Sequence, residues 1–185
     1  FEAVFFLLIP AGRVLGRRFG FVLGATTLVA SALLTGGVGP WLPFQMLAAA
    51  WIGYGAGCLP RASGRSEVAM LAAYGVVVAL AYGLLLDMWF WPFALNDASS
   101  VAFIAGDPVA ENLQRFWIFH LSTSLGWDIP RAVTNAVLML LAGPAVLAAL
   151  RRAARRASFG AAVSFDAGCN TVTQTSADNA PTGGA

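Results

Sequence analysis

The chain has 185 residues, 58% of them hydrophobic and only 11% charged, with a mean hydropathy of +0.73. Soluble domains carry roughly 25% charged residues, so a soluble fold of this size would leave much apolar surface uncovered. The apolar runs are continuous rather than alternating, which excludes a β-barrel and predicts an all-α, polytopic membrane helix bundle.

The predicted elements follow in chain order. Segment A, 1–15, contains Pro10, a residue that kinks a helix. Its apolar stretch 1–11 is about 17 Å long at ~1.5 Å per residue, too short to span. The chain starts at Phe1, so the sequence is expected to be cut from a longer protein. No charged n-region precedes the apolar run, which argues against a signal peptide. Segment B, 19–34, is followed by the breaker-rich loop TGGVGPWLP. Segment C, 44–59, leads through the polar link PRASGRS into segment D, 67–90. A polar region, 91–111, precedes segment E, 112–126, which is aromatic but carries Gln114, Arg115 and His120. Segment F covers 129–150. The Ser-, Thr-, Asn- and Gly-rich tail 157–185 is expected to be disordered and cytoplasmic.

Every basic residue is an arginine, and their distribution predicts the orientation. Arg13, Arg17 and Arg18 lie between A and B. Arg61 and Arg65 lie between C and D. Arg151, Arg152, Arg155 and Arg156 follow F. Placing all nine in the cytoplasm makes B run outward, C inward, D outward and F inward. Segment E then joins two outer ends, so parity makes it an extracellular or interfacial helix. The bundle, 1–156, is expected to make five crossings, the first incomplete, as a multi-pass protein of the cell membrane with a cytoplasmic C-terminus. Small residues recur at helix-packing spacing: Gly20 and Gly24, then Ala49, Gly53 and Gly57. They fit packing within the bundle or docking to another membrane subunit.

Chemistry concentrates at the predicted extracellular ends. In WDIPRAVTN, Asp128, Arg131 and Asn135 share one helix face by their three- and four-residue spacing. One reading makes Asp128 an N-cap with Pro130 in the first turn and Arg131 reaching the headgroups. The other puts the three side chains on a cavity that holds a polar ligand, because charges in membrane helices face a partner or a cavity. Asp87, near the end of D, lies at similar depth. Trp89 and Trp91 of WFWPF, with Trp41, Trp117 and Trp127, form either an interfacial belt or a ring-stacking wall. Gln45 lies just inside segment C after a glycine-rich loop. The loop lacks the GK[ST] of a phosphate-binding turn. The single histidine, His120, has no GxSxG and no paired base nearby in sequence, so no enzyme is expected. Cys58 and Cys169 lack CxxC spacing, and neither a metal nor another cofactor is expected. No basic patch interleaved with aromatics occurs outside the loops, so no nucleic-acid partner is expected.

Three stretches carry a family resemblance. They are FEAVFFLLIPAGRVLGRRFGFVLGATTLVASALLTGGVGPWLPFQMLAAAWIGYGAG, then YGLLLDMWFWPF, then SLGWDIPRAVTNAV. Together they resemble the substrate-binding S component of energy-coupling factor (ECF) vitamin transporters, in an actinobacterial branch. The resemblance implies six helices, a vitamin site near the extracellular face, and partners comprising a transmembrane coupling subunit and two ATPases. It matches Asp128, Arg131 and Asn135 to the final-helix motif, and Asp87 with Trp89 to the end of the preceding helix. The family's alanine-spaced first helix has no counterpart here. A cobalamin-like or B6-like vitamin suits the aromatic wall. The other function classes are a ligand-free membrane scaffold or accessory subunit, and an intramembrane enzyme.

Overall fold

The computed structural model describes residues 4–94 and 99–159. Among them every regular element is helical, giving an all-α bundle. The helices are α1 (Val4–Leu15), α2 (Arg17–Thr35), α3 (Leu42–Cys58), α4 (Gly64–Ala94), α5 (Val109–Phe119) and α6 (Leu125–Phe159). A π-helical turn, His120–Ser124, joins α5 to α6. Three stretches are long and apolar enough to cross a membrane: Arg17–Thr35, Gly64–Phe93 and Val109–Ala157. The 17-residue α3 stands at the short end of the ~17–25 residues that span.

Glycine sets the sharp turns. Gly16 alone separates α1 from α2 and has φ 97°, open to glycine without a Cβ penalty. Gly36 ends α2 in the left-handed region at φ 67°, its N–H bonding the Ala32 carbonyl. Short α1 is the hub of the bundle, packing on α2, α3, α4 and α6. Phe5, Leu8, Ile9 and Pro10 are all buried there, so the helix carries its proline in the core.

The two small-residue stripes meet each other. A Cβ on Gly20 would strike the Gly53 carbonyl, and one on Gly24 would strike that of Ala49. The Gly57 position abuts the backbone of Arg17. The stripes are therefore consumed by backbone-to-backbone packing of α2 on α3, the first of their two readings.

The sequence segments differ from the helices most at E and F. No break falls at Gly126. The helix runs from Val109 through the π turn into α6, about 70 Å of continuous helix at ~1.5 Å per residue. The Leu125 N–H bonds the His120 carbonyl, the i to i+5 pattern that defines the bulge. Helix α4 also extends beyond segment D, through Pro92 to Ala94. Residues 1–3 and the tail from 160, including Glu2 and Cys169, lie outside the described residues.

The bundle is chemically polarised. At one end Glu67, 2% exposed, accepts a hydrogen bond from Arg13 Nε at 3.0 Å. The same carboxylate takes two bonds from Arg151 Nη2 at 2.8 and 2.7 Å. Arg13 also donates to the carbonyls of Leu59 and Pro60. This strut ties α1, α4 and α6 and covers the end of α3. At the other end Trp91, Phe116 and Phe119 form a separate apolar cluster, and Trp91 Nε1 donates to the Val101 carbonyl at 2.8 Å.

Candidate functional site

The aromatic end of the α4–α6 seam holds a buried polar set. Asp128 and Asn135, each 2% exposed, lie on the inner face of α6. Asp128 Oδ1 accepts a bond from Arg131 Nη1 at 2.7 Å. Asn135 Nδ2 donates to the Arg131 carbonyl at 2.9 Å. The Arg131 guanidinium lies over the Tyr82 ring of α4, 5.4 Å from its centroid. Tyr82 in turn meets Phe5 of α1 edge-on at 5.0 Å.

The seam is close here because α4 presents Gly83. A Cβ at that position would overlap the Asp128 carboxylate. The carboxylate thus rests on bare α4 backbone, and its Oδ2 is buried with no hydrogen-bond partner among the described residues. A second pair stands nearby. His120 Nδ1 lies 2.6 Å from Asp87 Oδ2, joining the π turn to α4.

These positions correct the N-cap reading of Asp128. The helix is already formed from Val109, so residue 128 has helical neighbours on both sides and caps nothing. Pro130 is likewise an interior proline, not a first-turn one. Asp128 instead forms a buried ion pair, whose side chains are 3% and 18% exposed for Asp128 and Arg131.

The remaining sequence-selected residues divide. Asp87 joins the set through His120. Trp89 packs on Phe44 of α3 at 4.8 Å, and Trp91 is buried in the aromatic cluster. Gln45 is half-buried on α3. Trp41 is 42% exposed beside Gly39, and Trp127 is 77% exposed on the outer face of α6. Trp127 is therefore not brought to the Asp128 face, since adjacent helical positions diverge by about 100°.

Sequence reasoning missed His120 as a partner, because Asp87 is 33 residues away. It also missed Tyr82 and Gly83, whose apolar surroundings carry no polar signal. Among the described residues, no group of three His, Cys, Asp or Glu side chains is arranged to hold a metal ion. Comparison with protein-family models, curated proteins and solved structures finds no match.

Proposed function

We propose that the chain is the substrate-binding membrane subunit of an ECF-type importer. It takes a vitamin or related micronutrient at the extracellular side and relies on a coupling subunit and partner ATPases for uptake. In this reading it is a multi-pass protein of the cell membrane, oriented with its C-terminus in the cytoplasm. Its own residues bind and perform no chemistry.

The observation that carries the reading is the buried polar set itself. Asp128, Arg131, Asn135, Asp87 and His120 converge in an otherwise apolar bundle, at the end where the aromatic residues gather. Intramembrane ionisable groups are costly and mark ligand or ion sites by default. The Asp128–Arg131 pair holds both charges while the site is empty. A ligand bearing polar groups would take Arg131 and offer a donor to Asp128 Oδ2, which has no hydrogen-bond partner among the described residues. Asn135, one turn further along α6, would add a directional hydrogen bond. Trp89 and Phe44 provide ring surface for a flat or bulky body such as a cobalamin-like or B6-like vitamin.

One observation favours a ligand-free scaffold instead. Asp128 and Asn135 are 2% exposed, and Gly83 seats the carboxylate directly on α4. The two readings separate in a binding screen. The protein, purified in its full-length form, is titrated with a panel of water-soluble vitamins, and heat stability is followed. Saturable stabilisation by one vitamin supports the importer subunit. No response to any of them, with a bundle of high melting temperature, supports the scaffold.

A further inference from the structure

The arginine end of the α4–α6 seam carries a different feature, a cavity of about 680 Å³. Part of its lining is apolar: Val68, Leu140, Pro144 and Leu147. The other part is Arg65 and Arg151, both exposed. Glu67 also lines it, but both of its oxygens are held by Arg13 and Arg151. Arg65 and Arg151 line the cavity with one carboxylate, which Arg13 also neutralises from outside it, so the cavity carries excess positive charge. Arg152 and Arg156 continue the basic surface along α6.

The apolar part does not stop at the cavity. Leu140 also lines a second groove, of about 320 Å³, formed with Leu80, Ile129, Val133 and Val137. The seam is therefore an amphipathic slot with arginines at one end and hydrocarbon along the rest. From Arg151 to Leu140 the helix rises roughly 16 Å at ~1.5 Å per residue. That is about half of a ~30 Å hydrocarbon core, the depth of one leaflet.

We propose that this slot binds one anionic phospholipid, its phosphate on Arg65 and Arg151 and one acyl chain along Leu147, Pro144 and Leu140. Charge and length together select this occupant. A soluble anion would leave the apolar lining unused, and a zwitterionic lipid would gain little from the excess guanidinia. Basic pockets between membrane helices take anionic headgroups by the same attraction. The proposal needs only that the bundle lies in a bilayer, and it is independent of what the aromatic end binds.

The test equilibrates the full-length protein with an equal mixture of phosphatidylglycerol and phosphatidylcholine in detergent. Lipid retained on the protein is then counted by native mass spectrometry. The expected result is one phosphatidylglycerol held in preference. Arg65→Gln should reduce that preference about fivefold, the equivalent of one surface arginine. Ala148→Trp, which fills the slot from α6, should abolish retention while helicity and melting temperature hold. Equal retention of the two lipids, or phosphatidylglycerol retention unchanged in both variants, overturns the proposal in favour of general annular lipid. Sensitivity to Arg65→Gln without sensitivity to Ala148→Trp overturns the slot and leaves only surface attraction. If Ala148→Trp spares the lipid but removes a co-purifying protein, the occupant is a partner helix and the proposal fails.

Discussion

Arg131→Ala removes the partner of a carboxylate that is 2% exposed and seated on the α4 backbone. Breaking a buried pair by deleting one member costs about 3–5 kcal/mol, because the remaining charge keeps its desolvation penalty. Asp128→Ala costs less, about 1–3 kcal/mol for a lost charged hydrogen bond. Arg131 is 18% exposed in its side chain and keeps the Tyr82 ring after Asp128 is removed. The double variant leaves no charge behind, so it should fall short of the sum of the singles by roughly 3 kcal/mol. For a chain of this size each kcal/mol moves the melting temperature by about 2–4 °C. Arg131→Ala should therefore lower it by on the order of 10 °C, and adding Asp128→Ala should recover part of the loss. The assay is thermal unfolding of the four proteins in one detergent, read by tryptophan fluorescence. Two single variants that each lose less than about 3 °C, with strictly additive effects, would refute the buried-pair reasoning.

Three further outcomes follow from the packing. Gly83→Ala places a methyl against the Asp128 carboxylate, so overpacking should cost about 1–3 kcal/mol. Combining it with Asp128→Ala should relieve most of the loss, and a full loss in the double variant would contradict the contact. Glu67→Gln weakens the strut that joins Arg13 and Arg151 and should destabilise by about 2 kcal/mol. Because Glu67 is 2% exposed, the loss should persist at high salt, and a loss that disappears in salt would place the carboxylate at the surface. Cys58 is exposed beside the arginine-rich end. A membrane-impermeant thiol reagent should reach it only after lysis, and labelling in intact cells would reverse the proposed orientation.

The fold class was legible because it rests on composition and on run length, which need no tertiary information. The apolar stretches map onto α2, α3 and α4 within a few residues. The join between α5 and α6 was not legible. The sequence divides segment E, ending at 126, from segment F, starting at 129, yet the π turn keeps the helix continuous. The same error made Asp128 look like a cap. The face shared by Asp128, Arg131 and Asn135 was readable from helical spacing alone. Their neighbours Gly83 and Tyr82 were not, since both come from α4, nor was His120, which reaches Asp87 from the bulge. The Glu67 strut shows the same limit: its arginines stand 54 and 84 residues away, and only packing unites them.

The central claim is that the polar set at the aromatic end holds a ligand. Its most direct test is the dissociation constant of whichever vitamin stabilises the full-length protein, measured for the parent, Asn135→Ala and Glu67→Gln. Asn135 belongs to the proposed site, whereas Glu67 stands at the opposite end. Losing one hydrogen bond to a charged or strongly polar ligand costs about 1.5–3 kcal/mol, which is roughly ten- to a hundredfold in affinity. The account predicts that loss for Asn135→Ala and unchanged affinity for Glu67→Gln. Equal affinity in Asn135→Ala and the parent, or weakening confined to Glu67→Gln, would contradict it.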